Sequence, residues 1–154
     1  MPVFEERFEV AAPPEAVWAF LLDPKRLAPC VPGCEHIEVM DETTFQVRLK
    51  VRVGFLSTTQ DMRVTLAELD PPRHLVSVGR GEDRRLGSHV DVRSTLDLAP
   101  EGADRTAVRY RNEVKVRGRL GSIGDAVMKV TAKELGARFA ANVRSAIEAA
   151  PGAR

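Results

Sequence analysis

Thr106-Ala-Val-Arg-Tyr-Arg-Asn-Glu-Val-Lys-Val-Arg117, then the corner Gly118-Arg-Leu-Gly-Ser-Ile-Gly124 and the run from there to Ala149, decide the fold. In the first stretch Val108, Tyr110, Asn112, Val114 and Val116 alternate with Arg109, Arg111, Glu113, Lys115 and Arg117. A period of two sends the two sets to opposite faces of a pleated strand, one buried and one solvated. Past the corner the period becomes 3.6, because Ile123, Val127, Val130, Leu135, Phe139, Val143 and Ile147 form one apolar stripe. Ser122-Ile-Gly-Asp125 resembles a capping box and sets the helix start at Ser122. Running to Ala149, such a helix is roughly 40 Å long at 1.5 Å per residue. It can cross a whole sheet.

Upstream, the same alternation recurs. Thr44–Val53 sets Phe45, Val47, Leu49, Val51 and Val53 against Gln46, Arg48, Lys50 and Arg52, and Gly54 marks a hairpin turn. Gln60–Leu66 turns Gln60, Met62, Val64 and Leu66 inward, and Asp70-Pro71-Pro72 ends that strand. His74–Gly81 and Leu86–Leu98 follow, the second with Leu86, Val90, Val92, Leu96 and Leu98 inside and His89, Asp91, Arg93 and Asp97 outside. Val3–Val10 is a first strand. Pro13-Pro14-Glu15 opens a helix, since proline lacks the N–H that a first turn cannot use and glutamate complements the N-terminal dipole. That helix carries Val17, Trp18, Phe20 and Leu21 and stops before Asp23-Pro24. A second short helix covers Lys25–Ala28, and Pro29-Cys-Val-Pro-Gly-Cys34 is a turn-rich connector.

The predicted fold is α+β: a curved antiparallel sheet of six or seven strands around a long C-terminal helix, with two short helices after the first strand. Residues 1–149 form one domain and residues 150–154 a flexible tail. Small residues on the inner face, Ser77, Gly79, Gly81 and Ser94, are expected to leave a cavity between sheet and helix.

Composition removes several function classes. The chain has 154 residues, 44% apolar and 29% charged, so it is neither disordered nor long enough for two ordinary domains. A formal charge of +1 and 5% aromatics argue against a nucleic-acid binder. No apolar run is long enough to span a bilayer, and no secretory signal opens the chain. Two cysteines are too few for a disulfide scaffold and fit a reduced cytoplasmic protein.

Several stretches resemble one family: Phe8-Glu-Val10, Ala12-Pro-Pro-Glu-Ala-Val-Trp-Ala-Phe-Leu-Leu-Asp-Pro24, Leu27-Ala-Pro-Cys-Val-Pro-Gly-Cys-Glu35, Val51-Arg-Val-Gly54, Asp70-Pro-Pro72 and Gly118-Arg-Leu-Gly-Ser-Ile-Gly124. They are similar to the G-subunit family of carbon monoxide dehydrogenase, within the START and birch-pollen-allergen (Bet v 1-like) superfamily of helix-grip folds. The Pro-Cys-Val-Pro-Gly-Cys-Glu turn is the most specific of them. The resemblance implies a non-catalytic domain holding a hydrophobic, quinone- or lipid-like ligand. It also implies accessory work for a molybdenum-dependent CO dehydrogenase-type hydroxylase, recruited to the inner membrane face. Many family members continue into an apolar membrane-seeking tail. This sequence ends at Arg154 without one, so direct anchoring is not expected.

The expected cavity residues come from four places. The helix and connector supply Phe20, Cys30 and Val31, and the first hairpin supplies Val53, Gln60, Met62 and Val64. The later strands supply Ser77, Gly79, Val92, Ser94, Tyr110, Asn112 and Val114, and the long helix Val127, Thr131 and Leu135. Tyr110 and Asn112, two apart on one face, are the candidates for meeting a carbonyl-type group. Phe55 and Leu56 at a hairpin tip, with basic Arg48, Lys50 and Arg52, are candidates for transient contact with an anionic membrane or a partner. Cys30 and Cys34 at C-x3-C spacing lack companion ligands, so neither metal nor cofactor is expected beyond a bound quinone or lipid. The three histidines are scattered with no orienting acid, and the corner glycines do not follow a phosphate-loop pattern. The rival from the enzyme class is a polyketide cyclase or dehydratase using the same cavity. By periodicity the inner face offers no histidine or carboxylate for that chemistry. A recruitment adaptor with a collapsed cavity is the third reading.

Overall fold

Alternating strands that each bury one face form a single seven-stranded antiparallel sheet, in the order β1-β7-β6-β5-β4-β3-β2. The elements are β1 (Val3–Val10), α1 (Pro14–Leu21), α2 (Pro24–Leu27), β2 (Cys34–Val39), β3 (Thr44–Val53), β4 (Leu56–Asp70), β5 (His74–Asp83), β6 (Ser88–Pro100), β7 (Thr106–Arg117) and α3 (Asp125–Ala149). The structure, a computed structural model, describes residues 3–149. The expected tail at 150–154 lies outside the described residues. The architecture is the helix-grip α+β fold that the sequence predicts, with two short helices between β1 and β2.

Register fixes which side chains share the concave face. Phe8 opposes Val108 and Glu6 opposes Tyr110 across β1 and β7. Tyr110 opposes Leu96, Asn112 opposes Ser94 and Val114 opposes Val92 across β7 and β6. Val92 meets Gly79 and Ser94 meets Ser77 on β5, while Val64 meets Gly79 and Met62 meets Gly81 across β4 and β5. Alternation thus carries one face through five strands.

The core lies at one end of this face. Phe8, Val10, Val17, Trp18, Phe20, Leu21, Leu75, Leu98, Val108 and Tyr110 pack with Val143 and Ile147 of α3. Each large side chain fully buried there contributes about 1.5–3 kcal/mol. Tyr110 sits edge-on between Phe8 and Phe139, with ring centroids 6.4 and 6.2 Å away. Among the described residues of α3, only Val143 and Ile147 are buried. Its first turns, from Asp125 to Leu135, are half-buried or exposed.

Three local readings change. A strand, β2, pairs with β3 in the stretch after Cys34, where no strand was expected. Leu86 belongs to the turn before β6 rather than to the strand, though it is buried there. The capping box does not form, because Ser122 Oγ donates back to the Arg119 carbonyl at 2.7 Å. Residues Arg119–Ile123 make a 3₁₀ turn, Gly124 follows at φ 100°, and α3 starts only at Asp125. At the same corner Gly118 has φ 82°, and any Cβ there would collide with the Gly87 carbonyl. The glycines serve close passage of the corner past the β5–β6 turn.

Candidate functional site

Between the N-terminal half of α3 and β3 opens a cleft of about 670 Å³. The sequence explains the gap. Beyond Leu49 β3 has no β2 strand partner; Lys50 N donates to the Gly33 carbonyl at 2.8 Å, and residues 51–53 have no ladder partner on that side among the described residues. Opposite it, α3 presents Val127, Thr131 and Leu135, and Pro32-Gly33 closes one end. Val130, counted in the apolar stripe, is 67% exposed at the rim. An apolar helix face left this open needs a covering group, since isolated exposed apolar side chains are ordinary but a lined cleft is not.

Of the expected cavity residues, Val127, Thr131 and Leu135 line the cleft. Gln60, Met62, Val64, Ser77, Gly79, Val92, Ser94, Tyr110, Asn112 and Val114 share the concave sheet face by register. Val64, Ser77, Val92, Ser94, Asn112 and Val114 are only half-buried, so α3 does not seal that face. Val53 is buried beside the cleft and Val31 is half-buried. Phe20 and Cys30 belong to the core cluster instead, Phe20 under the Arg26 guanidinium at 4.8 Å and Cys30 with its carbonyl accepting from Asn142 Nδ2 at 3.0 Å.

The glycines do not leave empty space as expected. A Cβ at Gly79 would lie 3.1 Å from Met62 Cε, and one at Gly81 would lie 2.6 Å from Met62 Cγ and 2.9 Å from Gln60 Oε1. The flexible Met62 thioether fills the room that the missing side chains create. The Tyr110–Asn112 pair is also split. Ser94 Oγ donates to Asn112 Oδ1 at 2.6 Å, while the buried Tyr110 hydroxyl has no partner among the described residues.

The expectation that the inner face carries no carboxylate is overturned. Glu6 shares that face beside Tyr110, and Asp83 ends the same row as Ser77, Gly79 and Gly81. Both were readable: Glu6 is in phase with Phe8 and Val10, and Asp83 comes into the row once the strand is extended past Gly81. Asp83 is 5% exposed and accepts from Thr58 Oγ1 at 2.8 Å, Thr59 N at 3.1 Å and Leu86 N at 3.3 Å. Burial opposes its charge, but these donors and the nearby Arg85 win and hold its pKa below the ordinary carboxylate value. Burial, with the Glu6 charge added, pushes the Tyr110 phenol up to about 12.

Elsewhere, burial pushes the Cys30 and Cys34 thiols up, which keeps them protonated and weakly nucleophilic. No group of three His, Cys, Asp or Glu side chains gathers to hold a metal ion among the described residues. Phe55 is 82% exposed, whereas Leu56 is half-buried as the first residue of β4. Arg48 is tied to Asp61 at 3.1 Å, and Lys50 and Arg52 border the cleft. No helix of the described residues is long and apolar enough to cross a membrane.

Residues 7–148 match the family model for the G subunit of carbon monoxide dehydrogenase (CoxG). No curated protein matches the chain by sequence. Among solved structures it is similar to a conserved protein from Geobacillus kaustophilus, with TM-score 0.86 and 24% identity over 94% of this chain and 93% of that one. A START superfamily protein from Mycobacterium smegmatis gives TM-score 0.71 and 16% identity over 95% and 97%. The ZhuI aromatase/cyclase from Streptomyces sp. R1128 gives 0.69 and 20% over 94% and 92%. At these identities the likenesses establish the fold.

Proposed function

Since the chain belongs to the CoxG family of carbon monoxide dehydrogenase G subunits, we propose that it is a non-catalytic holder of a hydrophobic, quinone- or lipid-like molecule. In this reading it serves a molybdenum-dependent CO dehydrogenase-type hydroxylase from the cytoplasmic side, visiting the inner membrane face transiently. One observation carries the proposal: between β3 and the half-buried or exposed first turns of α3 lies a cleft of about 670 Å³ whose walls include Val51, Val127, Val130 and Leu135. A cleft of this size, with apolar side chains on its walls and Lys50, Arg52, Glu134 and Arg138 around them, suits an amphipathic ligand with a lipophilic ring. Exposed Phe55 beside Lys50 and Arg52 supplies a small amphipathic edge for loading.

Purification from the native host, followed by solvent extraction and native mass spectrometry, tests the reading. A stoichiometric quinone or lipid is the expected result. An empty protein that also fails to take up added menaquinone or ubiquinone would refute it. The second reading, an enzyme of the cyclase or dehydratase class, draws on Glu6 beside Tyr110 on the concave face and on the aromatase/cyclase among similar folds. It requires turnover of an aromatic polyketide substrate that Glu6→Gln abolishes.

A further inference from the structure

The cleft has a direction. At one end the Gly54 turn meets α3, where a Cβ on Gly54 would lie 3.2 Å from Val127 Cγ1. At the other end both walls meet the connector between α2 and β2. Lys50 N donates to the Gly33 carbonyl at 2.8 Å, and Asn142 Nδ2, one helical turn beyond Arg138, donates to the Cys30 carbonyl at 3.0 Å. From Val127 to Arg138 the helix rises roughly 17 Å at 1.5 Å per residue. The two ends differ in chemistry. Val127, Val130 and Leu135 lead away from Gly54, whereas Lys50 and Arg138 stand at the connector end.

Arg138 shares one helix face with Val127, Thr131 and Leu135, because steps of three and four residues stay on one side of a helix. Lys50 and Arg52 flank Val51 at an edge without a neighbouring strand, so their long stems can reach around it. These three cations line the cleft against one acid, Glu134. None of the four enters an ion pair among the described residues. Arg52 Nε donates only to the Gly54 carbonyl, at 3.3 Å. By contrast Arg48, Arg80, Arg111 and Arg117 of the sheet are each matched by a carboxylate. A cleft lined by an excess of one charge concentrates the opposite charge, and these walls favour a counter-ion that brings apolar surface with it.

We infer that the molecule held in this cleft is an amphiphile with one acidic group, a carboxylate or a phosphate, received by Arg138 and Lys50 at the connector end. Its apolar body lies along Leu135, Val130 and Val127 toward Gly54. The inference rests on the ligand-holding reading above and sharpens it, choosing an acidic lipid over a neutral quinone. Arg52 adds to the attraction from the strand edge, and Glu134 opposes it.

The test titrates 2-naphthoate and methyl 2-naphthoate, matched in ring but differing in charge, calorimetrically into the whole protein. A third probe, 2-naphthyl phosphate, separates a carboxylate site of the fatty-acid type from a phosphate site of the phospholipid type. Wild type should bind at least one anion roughly fivefold more tightly than the ester, the size expected for one partly exposed ion pair, and high salt should shrink that preference. Lys50→Gln with Arg138→Gln should erase it while leaving affinity for the ester unchanged, and Glu134→Gln should enlarge it. Arg63→Gln removes an unpaired cation of β4 outside the cleft and should leave the preference as it was. All four positions are exposed, and the wild-type comparison needs no variant. Equal affinities for acids and ester, no binding of any probe, a preference that survives the double change, or one that Arg63→Gln reduces equally would overturn the inference. The two readings separate cleanly. A co-purified neutral quinone together with equal probe affinities refutes the acid requirement alone. An acid preference without any quinone or lipid on the native protein refutes the cargo assignment alone.

Discussion

Gly136→Ala sets two opposing effects on one turn of α3. Alanine should favour the helix by about 1 kcal/mol over glycine. Its Cβ, however, would fall well inside contact distance of the Tyr110 hydroxyl, closer than real Cβ atoms approach another atom, and 3.5 Å from Tyr110 Cζ. The ring cannot swing away, because Phe8 and Phe139 hold it edge-on from two sides. Overpacking of this kind costs about 1–3 kcal/mol. The net expectation is a loss of about 1 kcal/mol, read as a fall of roughly 2–4 °C in Tm for a chain of this size. Tyr110→Phe removes the colliding oxygen, which has no hydrogen-bond partner among the described residues, so alone it should be neutral or slightly stabilising. In that background the remaining contact at Cζ is ordinary, and Gly136→Ala should now stabilise by about 1 kcal/mol. Urea unfolding followed by Trp18 fluorescence and circular dichroism gives all four corners of the cycle. The reasoning requires a coupling near about 2 kcal/mol. A cycle additive to within about 0.5 kcal/mol would show that α3 does not pass over Tyr110 as described.

Asp83→Asn should cost about 1–3 kcal/mol, since an amide offers a donor where Thr58 and two backbone N–H groups also donate. Folding lowers the Asp83 pKa, so its contribution is present above the unfolded value and is lost as pH falls through the folded one. Stability of wild type should therefore decline more steeply in acid than that of the variant; parallel acid limbs would contradict this. Tyr110 is the sole tyrosine, so near-ultraviolet difference absorbance reports it alone, and its ionisation should be delayed to about 12. The folded state then retains that proton longer than the unfolded chain, and stability should fall with rising pH above the ordinary phenol value of about 10; a normal titration would show an open hydroxyl. Thr131→Trp should fill the cleft and weaken uptake of an apolar probe at least about tenfold with little change in Tm, because the position is half-buried. Phe55→Ser should lower flotation with anionic vesicles, a side chain in lipid being worth about 1.5–3 kcal/mol, and high salt should weaken what remains.

The strand alternation at Val108–Val116 and the helical stripe at Ile123–Ile147 contain the fold class, because both periods are local consequences of backbone geometry. The same alternation put Gln60, Ser94, Tyr110 and Asn112 on one face, and its phase extended to Glu6 and Asp83 would have shown the inward carboxylates. What the alternation cannot contain is distance across the fold. Whether Gly79 and Gly81 leave a void depended on where Met62 came to rest, a long-range packing outcome. That Ser94 satisfies Asn112 while the Tyr110 hydroxyl and Gln60 Oε1 find no partner among the described residues is likewise decided by three-dimensional neighbours. The cleft itself arises because β2 ends its pairing at Leu49 and α3 is anchored through Val143 and Ile147 near its far end. An apolar stripe states that a helix face wants burial; only the assembled sheet decides how much of that stripe is covered, and the uncovered half is where a ligand can sit.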